Sequence, residues 1–416
     1  MLDLKLLRGD PAMVRAALAR RGDDAGLDRV LQLDERRRAI LPELEALRGE
    51  QNAANDAIAT AKREGGSADE AIARMREVAG RAKGLAEDLA GIEAELQDAL
   101  ARLPNLPDPA APEADTVLYE RGDPRTIASV RDHLELAGPM IEMGQAARLS
   151  GSRFAYLRGG LVFLGLAPVR WVLGLLRGHG FEPVIPPVLV REEALFGTGF
   201  LPDTEQQIYA LPEDELFLVG TSEVALASLH AGEIIDAGDL PLRYAGFSPC
   251  FRREAGAAGR DTRGIFRVHQ FDKVEMFSFV EPSQSKAEHE RLLSIEEEIL
   301  GTLGLPYRVV DIAIGDLGNS AARKFDCEAW IPSQEKHREL TSTSNTTDYQ
   351  ARRLEIRWRP PGGGRPETLH TLNGTAVAVG RTIIALLENG QRDDGTVVLP
   401  EALVAYGAPA SLSASS

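Results

Sequence analysis

The chain has 416 residues, of which 44% are hydrophobic and 26% charged. This is the composition of an ordinary globular protein, and the length favours two domains. A formal net charge of -16 opposes non-specific binding to nucleic acid, which needs cations to neutralise phosphates, so any RNA contact must be local. Cys250 and Cys327 are the only cysteines, too few for a disulfide framework or a four-ligand zinc cluster. We expect two buried thiols, no zinc and a reducing compartment.

The amino-terminal segment intersperses charges among its apolar residues too early for the uninterrupted core of a secretory signal. No later stretch approaches the length that spans a membrane. We therefore expect a cytoplasmic protein with no membrane segment.

Small and apolar residues in the first hundred positions repeat at alternating spacings of four and three, which predicts two helices with heptad seams. The first seam contains Ile40, Leu44, Leu47, Gln51, Ala54, Ile58 and Ala61, and the second contains Met75, Val78, Ala82, Leu85, Leu89, Ile92, Leu96, Ala99 and Leu103. Glycines and polar residues at 62–69 favour a reversal between them. The pattern predicts an antiparallel hairpin of roughly 50 Å, although Pro42 weakens helix continuity. By itself, this pattern is more often a dimerisation coiled coil.

The proline-dense segment LPNLPDPAAP, at 103–112, is a poor helix or strand and predicts a domain boundary. Strand-like runs clustered between a few long helices follow it, which favours an α+β domain with a mainly antiparallel sheet. Neither a P-loop nor a strand-linked GxGxxG motif is present. We predict domains at 1–110 and 111–406, with a disordered small-residue tail at 407–416.

One run, FRREAGAAGRDTRGIFRVHQFDKVEMF at 251–277, predicts two strands joined by a glycine-rich loop. On alternating positions Arg252 and Glu254 share a face, as do Arg267, His269, Phe271, Lys273 and Glu275. Guanidinium groups suit phosphates and an aromatic ring suits a purine, so this face is consistent with a nucleotide site. A solvated strand face with Arg–Glu pairs explains the same pattern, and the residues alone leave both open.

The run closely resembles motif 2 of class II aminoacyl-tRNA synthetases, in the form FRxEAGxxGRDTRGxxRxHQFxKVE of seryl-tRNA synthetases. The segments LVGTSEVALA from Leu218, RELTSTSNTTDYQARR from Arg338 and TLNGTAVAVGRTIIALLENGQ from Thr371 resemble the same family in the same order. The last is similar to motif 3. The resemblance implies activation of L-serine with ATP and transfer to the 3' end of serine tRNA, and leaves open whether selenocysteine tRNA is charged too.

Carried over from the family, the resemblance implies an ATP site in which Arg252 holds the α-phosphate, Arg381 the γ-phosphate and Phe271 the adenine. Catalytic roles fall to Arg252, Arg381 and Glu339, and Glu339 and Ser342 are expected to ligate Mg²⁺. The full implied ATP site is Arg252, Arg253, Glu254, Arg267, Val268, Phe271, Glu339, Leu340, Thr341, Ser342 and Arg381.

For serine the resemblance implies a pocket around the substrate's amine and hydroxyl, formed by Thr221, Ser222, Glu223, Arg252, Glu275, Asn373 and Thr375. Two positions depart from the family pattern: Thr375 stands where serine is frequent, and Ala376 where glycine is frequent. Thr375 keeps a hydroxyl group at its position, but the extra methyl group at Ala376 predicts a smaller serine pocket.

Motif 1 of such enzymes matches LVFLGLAPVRWVLGLLRGHGFEPVIPPVLV at 161–190, with Pro186 or Pro187 as the motif proline, and implies a homodimer. The resemblance also implies that the helical arm binds serine tRNA by shape, through backbone contacts. Cationic candidates for phosphate contacts along the arm are Arg36, Arg37, Arg38, Arg48, Arg74, Arg76 and Arg81.

Three alternatives remain open at this point. An enzyme that loads a carrier protein with an adenylated amino acid lacks such an arm, and a catalytically silent RNA-binding paralogue has no need for Arg252, Glu275, Glu339 and Arg381. A resistance copy working beside a housekeeping enzyme leaves no readable mark in a single sequence.

Overall fold

The computed structural model describes residues 1–22, 26–65, 67–202, 207–255, 259 and 261–413. Contacts divide the chain into two compact units, one of residues 2–104 and one of residues 105–416 together with Met1. The boundary lies a little before the predicted one at residue 110, because the proline-dense segment packs on the second unit. There the Asn105 amide donates to Asn319 O (2.7 Å) and the Asp108 amide to Ala322 O (2.8 Å).

The first unit is helical. Its helices are α1 (Leu4–Gly9), α2 (Pro11–Arg20), α3 (Leu27–Arg63) and α4 (Asp69–Arg102). Helices α3 and α4 pair antiparallel, as the ion pairs Arg37–Glu93 (2.9 Å) and Arg81–Glu43 (3.3 Å) show. The predicted hairpin is therefore confirmed, and α3 continues through Pro42.

The heptad seams lie between the two long helices. Leu44 and Leu47 of α3 form a buried cluster with Val78 and Ala82 of α4. Near the end of α4 the buried position moves from the predicted Ala99 to Leu100. This drift follows from the 3.6-residue period of a straight helix, which a strict seven-residue repeat does not match.

The second unit mixes helices and strands. Its helices are α5 (His133–Ala137), α6 (Met143–Ser150), α7 (Gly160–Gly178), α8 (Glu192–Thr198), α9 (Glu223–Ala227), α10 (Ser285–Thr302), α11 (Tyr349–Arg353), α12 (Val379–Gly390) and α13 (Glu401–Val404). Its strands are β1 (Thr116–Arg121), β2 (Ile141–Glu142), β3 (Tyr156–Leu157), β4 (Glu182–Val184), β5 (Leu189–Val190), β6 (Tyr209–Leu211), β7 (Leu216–Leu218), β8 (Ile234–Asp236), β9 (Leu242–Phe251), β10 (Gln270–Val280), β11 (Tyr307–Asp311), β12 (Arg323–Ile331), β13 (Lys336–Thr347), β14 (Arg357–Arg359), β15 (Glu367–Thr368), β16 (His370–Ala378), β17 (Val397–Val398) and β18 (Ser411–Leu412).

Within the described residues the main sheet has eight strands, in the order β1-β11-β12-β13-β16-β10-β9-β4. Every neighbouring pair is antiparallel except β4 with β9. Helix α10 packs against β13 and β16, and α12 packs against α7 and β12. The predicted α+β class with a mainly antiparallel sheet, flanking helices and a helical arm is confirmed.

Helix α7 is long and apolar enough to cross a membrane by length and composition, contrary to the expectation that no stretch reaches this length. Leu164, Val172 and Leu176 of this helix are fully buried in the second unit's core, and a core helix of a water-soluble fold passes the same test.

The tail predicted to be disordered from residue 407 is ordered as far as the structure describes it. Strand β18 pairs with β17, and Leu412 is buried in the main core. Apolar residues within the small-residue tail supply the burial that its average composition conceals. Residues 414–416 of the predicted tail lie outside the described residues.

Candidate functional site

The motif-2-like run forms two long paired strands with a longer connection than the sequence predicted. Ladder pairing stops at Phe251 opposite Gln270, so Arg252, Glu254, Arg267 and His269 belong to the connection and not to the strands. The Arg252 amide still donates to the His269 carbonyl (2.9 Å). Glu254 has a φ of 52°, which an extended strand does not allow.

A cleft of about 360 Å³ opens where this connection meets β12, β13, β16 and the start of α12. It is lined by Arg252, Glu254, Ile265, Phe266, Arg267, Val268, Phe271, Lys273, Lys324, Glu339, Leu340, Ser342, Thr375, Ala378, Gly380 and Arg381. Five of these side chains are cationic and two are carboxylates. The excess of positive charge beside the aromatic rings of Phe266 and Phe271 suits a large anion that carries an aromatic ring.

Arg252 lies over the ring of Phe271, with Cζ 5.4 Å from the ring centroid. Its Nε donates to the Gly220 carbonyl (3.1 Å), which fixes the guanidinium plane. A planar cation held in this way presents its terminal N–H groups in one orientation. Arg252 and Phe271 thus form a single arginine–aromatic wall of the cleft.

A β-bulge in β13 decides which side chains of the ELTS segment enter the cleft. Cys327 pairs with Thr341 and Glu328 with Glu339, so Leu340 is the extra residue. In a regular strand residues three apart face opposite sides of the sheet, and the inserted residue removes this alternation. Glu339 and Ser342 therefore both line the cleft.

Glu339 and Arg381 pair inside the cleft, with Arg381 Nη1 3.3 Å from Glu339 Oε1. Burial raises the pKa of Glu339, but Arg381, Lys324 and Arg252 together outweigh this effect and hold the pKa below its usual range. Glu339 is thus a carboxylate at neutral pH. A carboxylate and a hydroxyl on one wall are hard oxygen donors of the kind that Mg²⁺ prefers.

A buried polar cluster adjoins the cleft through Lys273 and Thr375. Lys273 forms an ion pair with Glu275, and the Thr221 hydroxyl donates to Glu275 Oε2 (3.4 Å). Glu275 pairs across the ladder with Thr375. The carboxylate and hydroxyl groups of this cluster suit a small molecule that has both an amine and a hydroxyl.

Glu223 is the second carboxylate of the cluster. Gln350 Nε2 donates to its Oε1 (2.7 Å). Burial, reinforced by the negative charge of Glu275, raises the pKa of Glu223 to about 7. Burial also raises the pKa of Glu275, against the opposing effects of Lys273 and Arg252. Two neighbouring buried carboxylates favour a cationic ligand between them.

Some residues assigned from the family do not line the cleft. Arg253 is exposed, and Thr341 is buried, donating to Glu296 of α10 (2.9 Å). Ser222 is fully buried, and its hydroxyl donates to the Gly246 carbonyl (3.3 Å).

Ala376 is the extra residue of a second bulge and lies in the main core, so its methyl group does not narrow the cleft.

Sequence reasoning assigned no role to Lys324, Phe266 or Gly380, which also line the cleft. Phe266 packs under two guanidinium groups, those of Arg338 (4.0 Å from Cζ to the ring centroid) and Arg381 (4.9 Å). Phe266 lies in the motif-2-like run and Gly380 in the motif-3-like run, so both carried a signal in the sequence. Lys324 had no local signal, since only the pairing of β12 with β13 brings it to the cleft.

Two family models match the chain. The tRNA synthetase class II core domain (G, H, P, S and T) matches residues 208–390, and the seryl-tRNA synthetase N-terminal domain matches residues 1–107. The chain is 52% identical to a serine--tRNA ligase of Acidothermus cellulolyticus, over 98% of this chain and 98% of that relative. It is 50% identical to a serine--tRNA ligase of Streptomyces coelicolor, over 98% of this chain and 97% of the relative.

Solved structures give the same result. The seryl-tRNA synthetase of Pyrococcus horikoshii, complexed with ATP, superposes with a TM-score of 0.92 at 40% identity, covering 99% of both chains. The cytoplasmic serine-tRNA ligase of Naegleria fowleri, in complex with AMP, superposes with a TM-score of 0.84 at 30% identity, covering 97% of this chain and 96% of the other.

Proposed function

The chain belongs to the seryl-tRNA synthetase family of class II aminoacyl-tRNA synthetases, and from this premise we propose that it is a serine--tRNA ligase of the cytoplasm. It joins the serine carboxylate to the α-phosphorus of ATP, releases pyrophosphate, and passes the seryl group to the 3'-terminal adenosine of serine tRNA. The observation that carries the proposal is the convergence of Arg252, Phe271, Glu339 and Arg381 on one cleft beside the Glu223–Glu275 cluster.

ATP lies in the cleft with its adenine against Phe271 and its phosphates toward the arginines. Arg252, oriented by Gly220, holds the α-phosphate, where negative charge grows during the attack by serine. Arg381 holds the γ-phosphate, and Arg267 offers a further cation. Pre-aimed charges in a half-enclosed cleft accelerate such a step by positioning and electrostatics, with no covalent enzyme nucleophile.

Glu339 and Ser342 are the residues that would hold Mg²⁺ with the phosphates of ATP, because the bulge at Leu340 turns both toward the cleft. The ion supplies charge neutralisation and orientation of the phosphates when bound. To take this role Glu339 would give up its pairing with Arg381, whose guanidinium would then be available to a phosphate.

Serine binds over the buried cluster. Its ammonium group pairs with the carboxylates of Glu223 and Glu275, and its hydroxyl is recognised by polar groups that include Thr375 and Asn373. A pocket that hydrogen-bonds a hydroxyl rejects alanine, because its own buried polar groups are then left without partners. Threonine is excluded by size.

The helical arm binds serine tRNA through a subset of its arginines. Arg37 and Arg38 pair with Glu93 and Asp34. Arg74 and Arg81 also have acidic neighbours. Within the described part of the chain Arg36, Arg48 and Arg76 have no ion-pair partner, and these three are the arginines we assign to phosphate contacts.

The chain acts as a homodimer that buries the outer face of α7. Phe163 is 60% and Leu166 57% exposed on this helix, and Ile185, which follows β4, is 82% exposed. Exposed large apolar side chains of this kind support an association surface that includes α7.

Serine-dependent exchange of pyrophosphate into ATP tests the first step. Wild-type protein should give exchange with serine and far less with alanine or threonine, and Arg252→Ala should abolish it. Absence of exchange in the wild type would establish the silent-paralogue alternative. Charging of unfractionated tRNA then separates a synthetase from a carrier-loading enzyme, which forms the adenylate without charging tRNA.

A further inference from the structure

We propose that His133 is a positioning residue for ATP: its imidazole accepts a hydrogen bond from the Ile265 amide and so sets the nucleotide-binding segment of the connection between β9 and β10. The proposal rests on the function proposed above. His133 begins α5, more than a hundred residues before this connection, and has no place in the motifs that the cleft uses.

The imidazole is buried, with only 4% of the residue exposed, and both of its ring nitrogens have partners. Nδ1 lies 3.2 Å from Glu388 Oε1, and the Ile265 amide lies 3.3 Å from Nε2. Glu388 is fully buried in α12 and also accepts from the His133 amide (3.2 Å) and the Ser333 amide (3.0 Å). The ring therefore connects the motif-3-like helix to the connection between β9 and β10.

The direction of these hydrogen bonds follows from the partners. A backbone amide can only donate, so Nε2 of His133 is the acceptor, and the ring proton lies on Nδ1 and is donated to Glu388. Glu388 thus selects the tautomer whose Nε2 can accept from Ile265, in the way that a second partner fixes many functional histidines.

The adjacent residues confirm how closely the connection approaches the ring. A Cβ atom at Gly264 would lie 1.9 Å from His133 Nε2, and Gly264 has a φ of 77°, so only glycine fits there. On the other side, Arg263 pairs with Asp132 (2.6 Å between Nε and Oδ2). Residues 263–265 are thus held against residues 132 and 133 at three successive positions.

The consequence for the cleft is direct, because Ile265, Phe266, Arg267 and Val268 all line it. Loss of the acceptor at His133 leaves the buried Ile265 amide without a partner, which costs free energy until the segment shifts. The shift displaces the wall on which ATP binds, and it leaves the serine cluster around Glu275 in place.

Two variants separate positioning from packing. In His133→Asn the amide nitrogen can replace Nδ1 as donor to Glu388, but no atom reaches the Ile265 amide. In His133→Gln the side-chain oxygen extends to the place of Nε2 and can accept from Ile265. We expect His133→Asn to raise the KM for ATP about tenfold with the KM for serine within about twofold of wild type, and His133→Gln to recover most of the ATP affinity.

Hydrogen exchange of the Ile265 amide, measured without ATP, gives a readout that does not depend on activity. It should be faster in His133→Asn and near wild type in His133→Gln, and calorimetric ATP binding should follow the same order. If His133→Asn fails to fold, Arg263→Ala loosens the same segment by removing its pair with Asp132 (2.6 Å), and it should raise the KM for ATP while sparing serine.

Equal effects of the two histidine variants, or equal changes in the KM for ATP and for serine, would overturn the positioning role. So would an unchanged Ile265 exchange rate in His133→Asn. A wild-type chain without pyrophosphate exchange defeats the proposed function instead, and the exchange rate and ATP calorimetry still decide the role of His133.

Discussion

Arg381 and Glu339 pair within the cleft: Arg381 Nη1 lies 3.3 Å from Glu339 Oε1 and also donates to the Glu339 carbonyl (3.0 Å). Arg381 lies in the first turn of α12, and Glu339 lies just before the bulge of β13. The opposite charges of two side chains from separate segments therefore neutralise each other in the cleft. In the proposed complex Glu339 would hold Mg²⁺ and Arg381 a phosphate of ATP, so both side chains would have to give up this pairing.

Glu339→Gln should raise the Mg²⁺ concentration needed for half-maximal pyrophosphate exchange by about tenfold or more, because an amide oxygen replaces a charged ligand. A titration of Mg²⁺ at saturating ATP measures the change. Glu328→Gln is the matched control, since Glu328 lies on the neighbouring strand and pairs with Arg308 (2.6 Å) outside the cleft. Equal Mg²⁺ requirements in the two variants would remove Glu339 from the proposed metal site.

The pKa of about 7 for Glu223 predicts a pH dependence of serine use. Below this value the carboxyl group is neutral and cannot pair with the substrate ammonium. The kcat/KM for serine should therefore rise with pH and reach a plateau above about pH 7. In Glu223→Gln this rise of kcat/KM with pH should disappear, and kcat/KM should be about 10- to 100-fold lower on the plateau. If Glu223→Gln keeps the rise of kcat/KM with pH, the rise belongs to the titration of another group.

The raised pKa of Glu223 also predicts that this residue lowers the free energy of unfolding at neutral and higher pH. Its folded pKa is raised, so as pH increases the unfolded chain loses this proton first, and the free energy of unfolding falls between about pH 4.5 and pH 7. Glu223→Gln avoids the cost and should be more stable than wild type at pH 8, by on the order of 1–3 kcal/mol, with the difference vanishing near pH 4.5. Urea unfolding at both pH values measures it.

Arg48→Ala combined with Arg76→Ala should raise the KM for tRNA and leave pyrophosphate exchange unchanged, because the change lies on the arm. Each lost phosphate contact should reduce the salt slope of tRNA binding by about 0.7–0.9. Arg37→Ala is the control, since Arg37 pairs with Glu93 (2.9 Å). A salt slope that falls equally in the control would show that ion-paired arginines bind tRNA as well.

Leu166→Glu should dissociate the proposed dimer, because a charge would be buried in an apolar contact. Sedimentation velocity at micromolar concentration should show a monomer for this variant and a dimer for wild type. Leu229→Glu makes the same change at a residue that is 50% exposed elsewhere in the second unit, and should remain dimeric. A monomeric wild type would contradict the assignment directly.

The local sequence pattern was enough to predict the elements whose structure depends mainly on residues close in the sequence. The heptad spacing predicted the paired helices α3 and α4, because a repeated apolar seam has one efficient way to be buried. The alternating run around Phe271 predicted two adjacent strands, and the motifs singled out most of the cleft side chains. Composition misled at the tail, where the buried residues Ala408 and Leu412 pack in the main core and a short strand pairs with β17.

Sequence by itself determined the family, the α+β class, the arm and the residue types available for ATP, serine and metal, since these reside in contiguous motifs. Only the tertiary structure decided which of those residues meet. The bulge at Leu340 brings Glu339 and Ser342 to one face and turns Thr341 away, and strand pairing adds Lys324. The contact of His133 with Ile265 joins residues 132 positions apart, and no local pattern can specify it, because it depends on how helices pack against the folded sheet.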